Sequence, residues 1–208
     1  MMELAEEKAR LRRALLAQRA ALAPAWAEAH GRAAQERLLA TAEFARAAAV
    51  GCYLALGREV GTDAILRACR ERGRRVCVPA RGPDGRYALC WLEAGEALAR
   101  GPLGVAEPAQ RRPAAPGEVD VVVTPGVAFD TAGRRLGRGG GHYDRLLSAW
   151  LEAAERRPWL VGLAYEFQIV ERVPATAADV AVDAVATDER IIVCGAAERR
   201  RKEAQPWG

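Results

Sequence analysis

The stretch RRLGRGGGHYDRLL, residues 134–147, sets three consecutive glycines among arginines and follows them with His142, Tyr143 and Asp144. Glycine lets a main chain approach an anion with no Cβ in the way, and it permits positive φ. Arg135, Arg138 and Arg145 can offer phosphate oxygens charge-assisted, two-pronged hydrogen bonds. A helix expected to start near Gly141 or His142 adds free N–H groups and a partial positive charge. Asp144, in its first turn, is suited to carry Mg²⁺ between phosphate oxygens. The stretch therefore reads as a phosphate cradle. It is not a Walker A loop, which needs Gly-Lys-Ser/Thr after four residues. Nor is it a dinucleotide fingerprint, because the frame starting at Gly137 meets His142 where the last glycine belongs. The competing reading is a tight strand-to-helix turn whose arginines are simply solvated.

Such a cradle needs a sheet to present it. DVVVTPG, residues 120–126, reads as a central strand, and the glycine stretch follows its C-terminal end, where ligands gather in open α/β sheets. AAAVGCYLAL (47–56) and VCVP (76–79) read as buried strands around a helix over 63–72, with Thr62 as its cap and Gly73 as its end. That β-loop-α-β unit implies a parallel sheet. YALCWLE fits an edge or antiparallel strand, and the Pro- and Gly-rich residues 101–117 a long ordered loop. A helix from about 142 to 155, strands at LVGLAY (160–165), AVDAVAT and RIIVCG, and a short helix near 167–172 complete the pattern. At the N-terminus, Leu4, Leu11, Leu15 and Leu22 stripe a helix over 3–22, and a second helix covers 25–40. The expected fold is a three-layer α/β/α arrangement with a mostly parallel sheet. One domain spans 1–208, with N-terminal helices over 1–45 and a frayed tail over 197–208.

Bulk properties narrow the setting. The chain has 208 residues, half of them apolar and 28% charged, as in globular proteins. No apolar run approaches a membrane span, and the charged N-terminus lacks the apolar core of a secretion signal. Five cysteines with no CxxC, and two histidines in all, argue against a zinc site or a disulfide scaffold. Reduced thiols and a cytoplasmic location follow. A net charge of +4 suits an anionic cofactor or substrate. It also keeps RNA binding in view at low weight, with Arg199, Arg200, Arg201 and Lys202 as the basic tail, but no aromatic platform or known module supports nucleic acid.

The segment PGVAFDTAGRRLGRGGGHYDRLL resembles the signature of the 5-formyltetrahydrofolate cyclo-ligases. Further resemblances fall in order along the chain: Lys8-Ala-Arg-Leu-Arg12, YLALGREVGT (53–62), VCVP, LGVAEP, GLAYEFQIVERVP and DVAVDAVAT. The resemblance implies a sheet like that of the sugar-phosphate isomerase and CoA-transferase group. It implies MgATP-driven closure of 5-formyltetrahydrofolate to 5,10-methenyltetrahydrofolate through a phosphorylated formyl oxygen, with ADP and phosphate released. By the same resemblance Lys8, Arg12 and the run Arg135, Leu136, Gly137, Arg138, Gly139, Gly140, Gly141, His142 and Tyr143 bind ATP. Arg12, Leu54, Glu59, Arg138 and His142 bind the folate. Arg138 stabilises the transferring phosphoryl group, Asp144 and Asp179 hold Mg²⁺, and Asp183 is the alternative to Asp179. The i, i+4 spacing of Lys8 and Arg12 puts both cations on one helix face, which suits a shared anion. His142 stands where family members commonly have tyrosine. The partners implied are a reduced folate and MgATP, with a monomer expected and a homodimer as the alternative. Two other readings use the same residues: a phosphosugar isomerase, which needs a carboxylate base and no ATP, and a binding module without turnover.

Overall fold

The computed structural model describes residues 2–102, 104–153 and 156–195. Helices α1 (Met2–Ala20), α2 (Pro24–Leu39) and α3 (Ala42–Arg46) precede strand β1 (Ala49–Cys52). Helix α4 (Asp63–Glu71) leads to β2 (Arg75–Arg81) and β3 (Tyr87–Trp91), and a hairpin of β4 (Leu98–Arg100) and β5 (Ala106–Pro108) follows. Then come β6 (Val121–Thr124), β7 (Ala128–Phe129), β8 (Arg135–Leu136), helix α5 (His142–Ala153), β9 (Trp159–Leu163), β10 (Ala184–Ala186) and β11 (Ile191–Val193). A seven-stranded sheet runs in the order β11-β10-β9-β6-β1-β2-β3. Its five inner strands are parallel, and β3 and β11 close the two edges antiparallel.

Strand alternation builds the three layers. On one face Val121 and Val123 join Val50 and Cys52 against Leu38, Phe44 and Ile65 of α2, α3 and α4. On the other, Val122, Leu160 and Val185 pack against Leu146, Leu147 and Trp150 of α5. Burying strands on both faces is why the inner ones read as near-continuous apolar runs. Helix α1 lies apart, its Leu15 packed on Val127, Ala128, Leu136 and Val173 beyond the sheet. Among the described residues no helix is long and apolar enough to cross a membrane, and Cys52, Cys69, Cys77, Cys90 and Cys194 are buried free thiols.

Several expectations need correction. The strand expected over 47–56 is only Ala49–Cys52, because α3 takes up the chain before it and a turn around Gly57 the chain after it. Thr62 does not cap α4 with its side chain. Its hydroxyl donates to the Tyr53 carbonyl at 2.9 Å, and Gln35 Oε1 accepts the Ala64 amide at 2.9 Å instead. The loop over 101–117 contains β5, paired with β4, and the helix near 167–172 is a single 3₁₀ turn at Glu166–Gln168. The tail over 197–208, with Arg199 to Lys202, lies outside the described residues.

The small β7–β8 hairpin is what aims the glycine stretch. Its turn is organised by buried Asp130, whose carboxylate accepts the amides of Ala132, Arg134 and Val173 and the Arg134 Nε. Gly133 closes the turn at φ +86°, and a Cβ there would sit 2.3 Å from the Val182 carbonyl oxygen. Gly133→Ala therefore combines backbone strain with a main-chain overlap. It is expected to destabilise the protein by about 3 kcal/mol, read as a lower urea midpoint.

Asp120 ties the start of β6 to that of β1. Burial works against its charge, but the amides of Ala49 and Ala48 and the Arg156 guanidinium outweigh burial and hold the carboxyl below its ordinary value. A depressed folded-state value contributes stability above the unfolded value near ~4 and loses it as pH falls through the folded one. Asp120→Asn is thus expected to lower the urea midpoint at pH 7, with the gap to wild type narrowing once the pH drops below about 4.

Candidate active site

A cleft of about 410 Å³ opens at the C-terminal ends of β1 and β6, the place where parallel sheets of this kind bind ligands. One wall is apolar and aromatic, from Tyr53, Leu54, Leu56, Pro79 and Tyr87. The other is the glycine stretch and the first turn of α5, with Arg135, Gly137, Arg138, Gly140, Gly141, His142, Tyr143 and Asp144. Glu59 lies on the cleft as well.

Arg135 is 4% exposed. Its Nη2 donates to Asp144 Oδ1 at 2.7 Å, and Nη1 to the Pro125 carbonyl at 3.4 Å. It therefore holds Asp144 in place across the turn. Asp144 also accepts the Val180 amide at 3.3 Å on the same oxygen, and among the described residues its Oδ2 carries no hydrogen bond. Arg138 is half exposed, with Nη1 3.6 Å from Glu59 Oε1.

Two of the loop carbonyls are already occupied by guanidinium groups. Arg12 Nε donates to the Gly137 carbonyl at 2.9 Å, and Arg145 Nη2 to that of Gly140 at 2.7 Å. Gly139 and Gly141 have φ of +109° and +62°, conformations that a side chain rarely adopts. No main-chain N–H from Gly137 to Asp144 is engaged by another described residue. Two carbonyls are thus tied back by guanidinium groups while a run of amides stays unpaired, an arrangement that favours an anion.

Lys8 does not reach into the cleft. Its Nζ donates to Asp179 Oδ2 at 2.7 Å, joining the two residues assigned to phosphate and metal. Burial works to raise the Asp179 value, but the bonds from Lys8 and Thr176 win and hold it low. Leu136 is buried in the core beneath the loop, so its side chain does not line the cleft. Asp183 accepts the Leu160 amide at 2.8 Å within the sheet and does not line the cleft either. His142 packs edge-on against Tyr87 with ring centres 5.1 Å apart. Desolvation, then Arg145 and Arg81, holds the imidazole below its ordinary value, so it is neutral at pH 7. Burial pushes the Tyr143 and Tyr53 phenols well above theirs, leaving both as protonated hydrogen-bond donors.

Residues 4–188 match the 5-formyltetrahydrofolate cyclo-ligase family. The chain belongs to that family. Cyclo-ligase relatives include the 5-formyltetrahydrofolate cyclo-ligase of Escherichia coli, 32% identical over 83% of this chain and 96% of that protein. The enzyme of the same name from Mycolicibacterium smegmatis is 33% identical over 89% and 96%. The solution structure of Aquifex aeolicus 5,10-methenyltetrahydrofolate synthetase superposes with a TM-score of 0.78 at 28% identity, covering 90% of this chain and 93% of that one. This member of the cyclo-ligase family thus shares its α/β fold with a methenyltetrahydrofolate synthetase.

Within this cyclo-ligase the glycine stretch, Leu54, Glu59 and Asp144 meet on one cleft, and Arg12 touches the loop from behind. Lys8 and Asp179 stand beside it as a pair. Sequence reading missed Arg19, buried at 5% exposure, and the aromatic wall of Tyr53 and Tyr87. A signal for Arg19 was present: it falls four residues after Leu15 on the apolar stripe of α1, where an unpartnered cation is too costly.

Proposed function

We propose that this cleft performs the family reaction, the ATP-dependent conversion of 5-formyltetrahydrofolate to 5,10-methenyltetrahydrofolate, with the residues in the following roles. The polyphosphate lies along the unpaired amides of Gly137–Asp144, with Arg138 and Arg12 supplying positive charge. The reduced folate lies against the apolar wall, its ring edge held by Glu59, Leu54 and His142 beside it. The formyl oxygen attacks the γ-phosphorus and ADP departs. The neighbouring nitrogen then attacks the activated carbon, gives up its proton, and phosphate leaves. Phosphoryl transfer of this kind depends on alignment and charge neutralisation rather than a protein nucleophile. That demand matches a site made of amides and guanidinium groups.

Mg²⁺ fits one part of the donor set better than the other. Asp144 has an oxygen free and sits at the amide run, as a metal shared with phosphate requires. Asp179 is held by Lys8, so it joins the metal only when Lys8 is drawn to phosphate. No cluster of three or more His, Cys, Asp or Glu suited to a metal occurs among the described residues. This favours an ion held jointly by Asp144 and the nucleotide. When bound, such an ion supplies charge neutralisation at the transferring group.

The observation that carries this reading is the run of unpaired amides in a loop that lines the same cleft as an apolar side and the Glu59 carboxylate. Purified protein with 5-formyltetrahydrofolate, MgATP and buffer is expected to develop the near-ultraviolet absorbance of the methenyl product, with one ADP formed per product. Folded protein that binds both substrates without any rise would be a binding module, and the catalytic reading would fail. Turnover of a sugar phosphate without ATP would favour the isomerase.

A further inference from the structure

The Glu59 carboxylate is mostly buried and lies on the cleft, yet it is not left to itself. Its Oε2 accepts the Leu56 amide at 2.9 Å, which fixes one oxygen within its own loop. Its Oε1 faces Arg138 at 3.6 Å and Arg19 at 3.5 Å. The two arginines differ in kind. Arg138 is half exposed and belongs to the loop given to the nucleotide, so a bound substrate competes for it. Arg19 has only 6% of its side chain exposed, does not line the cleft, and comes from α1. Its Nη1 donates to the Gly126 carbonyl at 3.2 Å, in the turn that follows β6. One guanidinium therefore braces three segments: α1, the loop that carries Glu59, and the end of the central strand.

We infer that Arg19 is a positioning residue for folate recognition, holding the Glu59 carboxylate oriented toward the ring edge of the substrate. This rests on the proposed role of Glu59. The physical reason is the cost of a buried carboxylate. If Arg138 turns to phosphate, Glu59 loses that cation at the moment it must grip the folate. Arg19, shielded from both substrates, is the cation that stays. Its second bond is not what the turn depends on, because the Gly126 carbonyl also accepts Gln168 Nε2 at 3.0 Å. Removing Arg19 therefore falls mainly on Glu59.

A double-mutant cycle with MgATP and 5-formyltetrahydrofolate tests this. Arg19→Met is expected to raise the folate KM about tenfold while the ATP KM and kcat change less than about threefold. Glu59→Gln is expected to raise the folate KM by a similar factor. In the Glu59→Gln background, Arg19→Met should add less than about threefold, because the carboxylate it positions is gone. Arg19→Lys, which keeps the charge but reaches only one partner, should fall between wild type and Arg19→Met. If Arg19→Met does not fold, Arg19→Lys in the two backgrounds completes the same cycle. Full multiplication of the two effects, or an equal loss in the ATP KM, would overturn the positioning role and leave Glu59 in place. A folate KM unmoved by Glu59→Gln would instead overturn the Glu59 assignment itself.

Discussion

Asp144→Asn is expected to lower kcat by about 10²- to 10³-fold, with a matching rise in the Mg²⁺ concentration needed for half-maximal rate. The substitution is a mild one in shape. The asparagine amide oxygen can still accept from Arg135 Nη2, which now donates to Asp144 Oδ1 at 2.7 Å, so the turn keeps its hydrogen bond. What disappears is the negative charge. Arg135 is nearly inaccessible, so some stability is lost too when its ionic partner becomes neutral. Urea denaturation measures that loss separately. Activity that falls without a change in Mg²⁺ requirement would show that Asp144 serves only to hold Arg135. Unchanged turnover would remove it from the site altogether.

Arg138→Ala is expected to cost about 10²- to 10³-fold in kcat, with little effect on folding because the side chain is half exposed and its contact with Glu59 is long, at 3.6 Å. The effect should be chemical rather than structural. The transferring phosphoryl group carries charge spread over its equatorial oxygens, and the proposed role of the Arg138 guanidinium is to neutralise it. A modest rise in folate KM should accompany the loss, since the family resemblance gives Arg138 to the folate as well as to the nucleotide. Rapid-quench measurement of ADP formation in a single turnover separates the two effects. A kcat within about threefold of wild type would transfer the transition-state role to Arg12 or to the amides.

Much of this was legible in the residues. Val121 to Thr124 read as a central strand because a strand covered on both faces must be apolar throughout. The helix after Gly141 was readable from the switch to a 3.6-residue period in Tyr143, Leu146, Leu147 and Trp150. The cradle was readable because few chain segments tolerate three glycines without a backbone reason. The β4–β5 hairpin and the two-residue strands β7 and β8 were not readable. All are too short to show alternation, and the turn of β7 and β8 is held by a tertiary bond from the Val173 amide to Asp130.

Pairing of charges is where the tertiary structure decides. Residue types and local spacing by themselves determined the layered sheet, the anion-binding loop and the kind of chemistry it suits, because glycine freedom, side-chain charge and apolar period are local properties. Which cation answers which carboxylate was settled only by folding: Arg135 with Asp144, Lys8 with Asp179, and Arg19 with Glu59, the last pair 40 positions apart. Coulomb attraction falls with distance through space and takes no account of separation along the chain, so only the packed strands and helices that set those distances can choose the partners.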